Sequence, residues 1–138
     1  MMRLLVSGGH DFTDYQALGS CMSRLHRDYR ITMVLHGDET GAAYMASLFA
    51  EMMDLAGWKF KADRIKFKEA AGPIRNAEML RIGRPHMALT MPGGVVTRDM
   101  ALRCLKAGVP LYFYNEDTES MEKANIYAGI RSLNIPPA

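Results

Sequence analysis

The sequence predicts an α/β protein: a doubly wound parallel sheet of about five strands in the order 3-2-1-4-5, with helices on both faces. Three observations carry that expectation. Short apolar runs alternate with amphipathic stretches along most of the chain. Several runs are apolar at successive positions, as strands covered on both faces must be. Glycine pairs close the first and fourth runs, in "SGGHDFTD" and "MPGGVVTRDM", at the junctions where a strand hands over to a helix.

Residues 3–7, "RLLVS", form the first strand, stopped by Gly8 and Gly9. Asp14 is placed to cap a helix on which Tyr15, Leu18, Met22 and Leu25 share a face. Residues 31–35 form the second strand and end at "HGDETG". Met45, Leu48, Phe49, Met52 and Ala56 recur at helical spacing, with Gly57 as the C-cap. The imperfect alternation of "WKFKADRIKF" holds a third strand. Pro73 suits the first turn of a third helix, with Ile74, Ala77 and Leu80 inward and Gly83 ending it. "HMALTM" is the fourth strand, residues 97–107 the next helix and "VPLYFY" the fifth strand. After Asn115 the ragged stripe Met121, Ala124, Ala128 and Ile130 reads as a partly helical tail, packed on the domain or on a second subunit. The expected organisation is a sheet domain over residues 1–115 and a tail over 116–138.

A chain of 138 residues is one domain, large enough to bury a core without disulfides or metal. Its 17 Lys and Arg against 15 Asp and Glu leave a net charge of +2, short of the footprint of a dedicated nucleic-acid binder. Cys21 and Cys104 lie in apolar helical patterns without C-x-x-C spacing and read as small buried thiols. The N-terminal "MMRLLVSGG" is too short for a secretory segment, and no run approaches bilayer thickness, so a soluble cytoplasmic protein is expected. Most of the twelve methionines fall at core spacing.

In a sheet of this order the loops after strands one and four open side by side at the switch point, where ligands of such sheets sit. Glycines there let backbone amides turn outward beside the positive end of the helix starting near Thr97, which makes a nest for phosphate. One pair alone reads as a sharp turn; two at neighbouring loops point to a ligand. "AAGPIRNAEML" places Arg75 and Asn76 in the first turn of a helix at the same edge. An arginine there opposes the helix dipole, so its planar fork is read as reaching a phosphate or carboxylate, with surface snorkelling as the alternative. His36 and Gly37 end the second strand in the same layer, where a histidine either binds ligand or is a satisfied structural residue. The expected ligand-binding set is Gly8, Gly9, His10, Asp11, His36, Gly37, Arg75, Asn76, Pro92, Gly93, Gly94 and Thr97, with no metal and no cofactor.

In their order and spacing, "SGGHDFTD", "HGDETGAAYMA", "AAGPIRNAEML" and "MPGGVVTRDM" resemble the YspA/YpsA-related branch of the SLOG superfamily, named for the Smf/DprA and Lonely Guy proteins. The resemblance spans residues 2–114. It implies a Rossmann-like fold, a homo-oligomer, and a pocket for a nucleotide or nucleotide-derived molecule with phosphate at the two Gly-Gly loops, as in a sensor or sequestering module. In Lonely Guy enzymes the pattern PGGxGTxxE accompanies hydrolysis of the N-glycosidic bond of a nucleoside 5'-monophosphate, with an arginine and a glutamate at the centre. Pro92, Gly93, Gly94 and Thr97 match that pattern, and Arg75 resembles the arginine.

The departures matter as much. Val96 replaces the third glycine. Met100 replaces the glutamate and can neither accept a proton nor steady an oxocarbenium ion. A phosphoribohydrolase would have to use Arg75 with Asp99, which lies about 100° round the helix from the motif position. His10 stands where the branch commonly has arginine, and Ala43 where it has aspartate. Nucleotide binding therefore leads, a Lonely Guy-like phosphoribohydrolase is the alternative, and DprA-like single-stranded DNA binding is third. Near-neutral charge and the lack of a basic stripe with aromatic platforms oppose the last.

Overall fold

A computed structural model describes residues 1–124. In chain order the elements are β1 (Arg3–Ser7), α1 (Tyr15–Tyr29), β2 (Met33–Gly37), α2 (Ala42–Met52), β3 (Ala56–Phe60), α3 (Arg64–Phe67), a 3-10 turn (Lys68–Ala70), α4 (Ala71–Arg81), β4 (Met87–Thr90), α5 (Val95–Ala107), β5 (Leu111–Asn115) and β6 (Ser120–Lys123). The six strands form one sheet in the order β3-β2-β1-β4-β5-β6, parallel except for β6, which runs antiparallel to β5. The predicted α/β class and strand order hold, with one more strand than expected.

Period-two alternation splits the core into two layers. Leu4, Val6, Val34 and Leu89 pack with Leu18, Met22, Met45 and Ala46 of α1 and α2. Leu5, Leu35, Ala88 and Phe113 pack with Met79, Met100 and Cys104 of α4 and α5. The central strands are apolar on both faces because both faces are covered. Ser7 pairs with Thr90, so β1 and β4 finish level at one rim.

Local chemistry sets the element ends. The Asp14 carboxylate accepts the Ala17 amide at 3.0 Å and starts α1, as predicted, although Tyr15 is exposed rather than inward. The α2–β3 junction departs from the sequence expectation. The helix stops at Met52 and the chain reverses at Asp54, whose φ is +56°. Aspartate tolerates that left-handed state, so no glycine cap is required. Ala56 and Gly57 instead pair with Met33 and Val34 in β3. "WKFKADRIKF" stays extended only through Phe60, because the Asp63 side chain accepts the Lys66 amide at 3.0 Å and turns the chain into α3.

Helix α4 begins at Ala71, which puts Pro73 in the first turn but Arg75 and Asn76 in the second. Its buried residues are Ala71, Arg75, Asn76 and Met79, a face rotated from the predicted Ile74, Ala77 and Leu80. Partners for the two polar side chains override the apolar period. Helix α5 begins at Val95, two residues before the expected Thr97. Residues 116–124 make a turn and β6, where Met121 pairs with Tyr114 and packs on the α1–α2 layer; a helix was expected there. The rest of the predicted tail, with Ala128 and Ile130, lies outside the described residues.

Candidate functional site

The two glycine loops meet, but by packing on each other. The Gly9 amide donates to the Pro92 carbonyl at 2.8 Å, and the Gly9 carbonyl accepts the Phe12 and Ala42 amides at 3.2 and 3.1 Å. A Cβ on Gly93 would stand 2.6 Å from Gly9 N and 2.8 Å from Thr97 Cβ; one on Gly8 would stand 2.6 Å from Ala42 Cβ. Three of the four glycines are thus required by close backbone approach. The outward-turned amide expected at Gly9 is corrected: that group is engaged between the loops. Only Gly94 borders open space. It caps α5 without a side-chain bond, so the first-turn amides of that helix keep no partner from its cap.

Beside this junction lies a cleft of about 730 Å³ at the carboxyl ends of β1 and β2, between the opening turns of α2 and α5. Gly8 to Asp11, Gly37 to Thr40 and Gly94 to Thr97 form its walls, with Ala43, Arg64, Arg75 and Asn76. Most of the predicted set is therefore brought together. Pro92 and Gly93 face an adjoining hollow with residues 11–14 and Glu116. His36 lies off the cleft wall, 4% exposed, with Nδ1 2.8 Å from the Gly37 carbonyl. Burial holds its pKa below the ordinary value, and the Lys59 charge adds to that against the Gly37 hydrogen bond.

A chain of ion pairs crosses the cleft floor. Arg75 is 5% exposed. Its Nη1 lies 3.0 Å from Glu39 Oε2 and 3.3 Å from Asp38 Oδ1, its Nη2 2.9 Å from Glu39 Oε1, and its Nε donates to Asn76 Oδ1 at 3.1 Å. The Asn76 amide donates onward to the Val96 carbonyl at 3.0 Å and to Asp99 Oδ2 at 3.1 Å, and Arg103 Nε holds the same Asp99 oxygen at 2.8 Å. From α3, Arg64 reaches Glu39 at 2.9 Å and Asp38 at 3.6 Å. The arginine fork does find carboxylates, and they belong to the protein.

Asp38 and Glu39 are the site residues that sequence reasoning passed over. The signal was present: two acids directly after the second strand, in the layer assigned to Gly37. Asp99 is tied to Asn76 and Arg103 and does not line the cleft. Met100 is 1% exposed in the apolar layer under α4 and α5. Two cations, Arg64 and Arg75, face three carboxylates, Asp11, Asp38 and Glu39, so the lining carries no cationic excess. Burial pushes the Cys21 thiol up to about 11 and the Cys104 thiol up to about 12, which removes both as nucleophiles. Among the described residues no cluster of His, Cys, Asp and Glu is arranged to hold a metal ion, and no helix is long and apolar enough to cross a membrane.

A doubly wound parallel sheet with an open cleft at its switch point defines a Rossmann-like α/β protein. Residues 2–67 match the model of the YspA, cpYpsA-related SLOG family. The match runs from β1 to the end of α3 and includes Gly8, Gly9, Asp38, Glu39 and Arg64. None of the curated proteins compared matches the chain.

Proposed function

We propose that the cleft binds a nucleotide or nucleotide-derived molecule and acts as a sensor or sequestering module. The observation that carries this reading is the pairing of two opposite chemistries across one opening. On one side are the uncapped first-turn amides of α5 at Gly94 to Thr97, an anion-binding edge. On the other are Asp38 and Glu39 directly after β2, held by Arg75, where acids in such sheets accept ribose hydroxyls.

The Arg75 guanidinium is committed to these carboxylates and to Asn76, so its role is to fix the acceptors rather than to swing toward phosphate. The balance of two cations against three carboxylates favours a ligand with one phosphate and a neutral hydroxyl-bearing body over a polyphosphate. Isothermal titration against nucleoside mono-, di- and triphosphates, ADP-ribose and cyclic dinucleotides tests the reading. Nucleoside monophosphates are expected to bind more tightly than ADP-ribose or triphosphates. Glu39→Gln is expected to weaken that binding about tenfold, the loss of one charged hydrogen-bond acceptor. No heat from any of these ligands refutes the assignment.

A further inference from the structure

Two arginines meet the acids after β2, and they are held in different ways. Arg75 is buried, and its fork is closed by Glu39, Asp38 and Asn76. The Arg64 side chain is 54% exposed. Among the described residues its polar partners are Glu39 Oε1, 2.9 Å from Nη2, and Asp38 Oδ2, 3.6 Å from Nη1. Its helix, α3, is four residues long and buries none of them. Arg64 is thus a guanidinium on a lightly packed arm in the cleft wall.

The acceptors under that arm are the ones a sugar would use. Glu39 Oε1 accepts from both arginines at 2.9 Å, and the Asp38 Oδ2 contact at 3.6 Å is longer than a hydrogen bond. A hydroxyl pair entering from the cleft therefore competes with exposed Arg64 for this edge, while Arg75 stays behind it. Displacing Arg64 costs little, because exposed ion pairs contribute little to stability. A phosphate entering the same cleft meets three carboxylates, Asp11, Asp38 and Glu39, and at α5 only the partial charge of a helix end. A guanidinium released from the acids supplies the missing full charge, and its planar fork matches phosphate oxygens with two parallel N–H bonds.

We propose that Arg64 is the phosphate-selecting residue of the cleft: it yields Asp38 and Glu39 to the ligand's hydroxyl groups and transfers to the ligand's phosphate. The inference rests on the nucleotide reading of the cleft. It adds a rule of selection, since the hydroxyls free the cation that the phosphate needs and a ligand carrying both groups is favoured over one carrying either alone.

Calorimetric titration of the full chain with adenosine, guanosine, cytidine and uridine, each beside its 5'-monophosphate, gives a Kd ratio that measures what the phosphate adds. In the parent the monophosphate is expected to bind at least about tenfold more tightly than its nucleoside. Arg64→Ala is expected to lower that ratio about tenfold, the worth of a charged hydrogen bond. The same variant is expected to bind the nucleoside about two- to fivefold more tightly than the parent does, because the competing ion pair is gone. Lys66→Ala removes an equal charge from the same helix outside the cleft and is expected to leave the ratio within about twofold. Both side chains are exposed, so both variants are expected to keep the parent's circular dichroism. A ratio unchanged in Arg64→Ala overturns the proposal and leaves the nucleotide reading standing. An equal fall in Lys66→Ala also overturns it, by assigning the effect to the general field of α3. Nucleoside binding that does not tighten in Arg64→Ala shows that the arginine does not compete for the acids, and overturns it too. If the parent binds none of these probes, the nucleotide reading falls and this inference with it.

Discussion

At the scale of single residues, Arg75 is a buried cation, 5% exposed. Three of its four N–H contacts tie α4 to the loop after β2, and removing it leaves Arg64 as the one cation paired with Asp38 and Glu39 among the described residues. Breaking a buried ion pair from one side costs about 3–5 kcal/mol. The 19% and 22% exposure of the two carboxylates lets water repay part of that. Arg75→Ala is therefore expected to lower unfolding stability by about 2–4 kcal/mol in urea titrations, and Arg75→Lys to recover only part, since one ammonium cannot reproduce the fork. His36 supplies the pH dependence. Its folded pKa is depressed below 6.5, so the unfolded chain binds the proton more readily. Stability is intact above pH 6.5, falls as pH drops below that value, and levels off once pH passes the folded pKa. His36→Gln is expected to flatten this part of the profile in denaturant midpoints measured between about pH 5 and 7. Neither role could be read from one residue and its neighbours: Arg75 was legible as a group reaching an anion, but its acids stand 37 and 36 positions away.

At the scale of elements, the glycine junction separates packing from ligand contact. Gly93→Ala drives a Cβ into Gly9 and Thr97 and is expected to cost about 2–3 kcal/mol, as forced overpacking does. Gly94→Ala meets nothing within 4 Å and is expected to cost under about 1 kcal/mol, the difference between glycine and alanine at a helix cap. Thermal melts of the two variants compare them directly; equal losses would show that Gly94 is as tightly packed as its neighbour. The two glycines are alike in sequence, and only the fold tells them apart. The same holds for α4, whose apolar period named Ile74, Ala77 and Leu80 while the buried face follows Arg75, Asn76 and Met79. Periodicity finds helices by their apolar side, and here a paired polar face displaced it. At the α2–β3 junction Gly57 was the more obvious stop, but Asp54 took the left-handed turn and freed the glycine for the sheet.

At the scale of the whole molecule, alternating runs and two glycine junctions were enough to read the strand order, because parallel strands joined by helices admit few arrangements. That order puts Ser7 and Thr90 level at one rim and so determines where a ligand can lie. The sixth strand escaped because Met121 and Ala124 also suit a helical stripe; pairing with β5 decides the matter only once β5 is in place. The cleft's ligand then couples to the stability of the entire fold, since its walls come from both halves of the sheet and from helices on both faces. A molecule that binds only the folded chain, present at one hundred times its Kd, adds about 2.7 kcal/mol. For a domain of this length that corresponds to a rise of about 8–10 °C in melting temperature. A thermal-shift screen of nucleotides is expected to show such a rise for a nucleoside monophosphate, and Glu39→Gln to shrink it at the same ligand concentration even though the variant's own melting point is lower. A rise that persists undiminished in Glu39→Gln would place the ligand elsewhere than between the acids after β2 and the opening turn of α5.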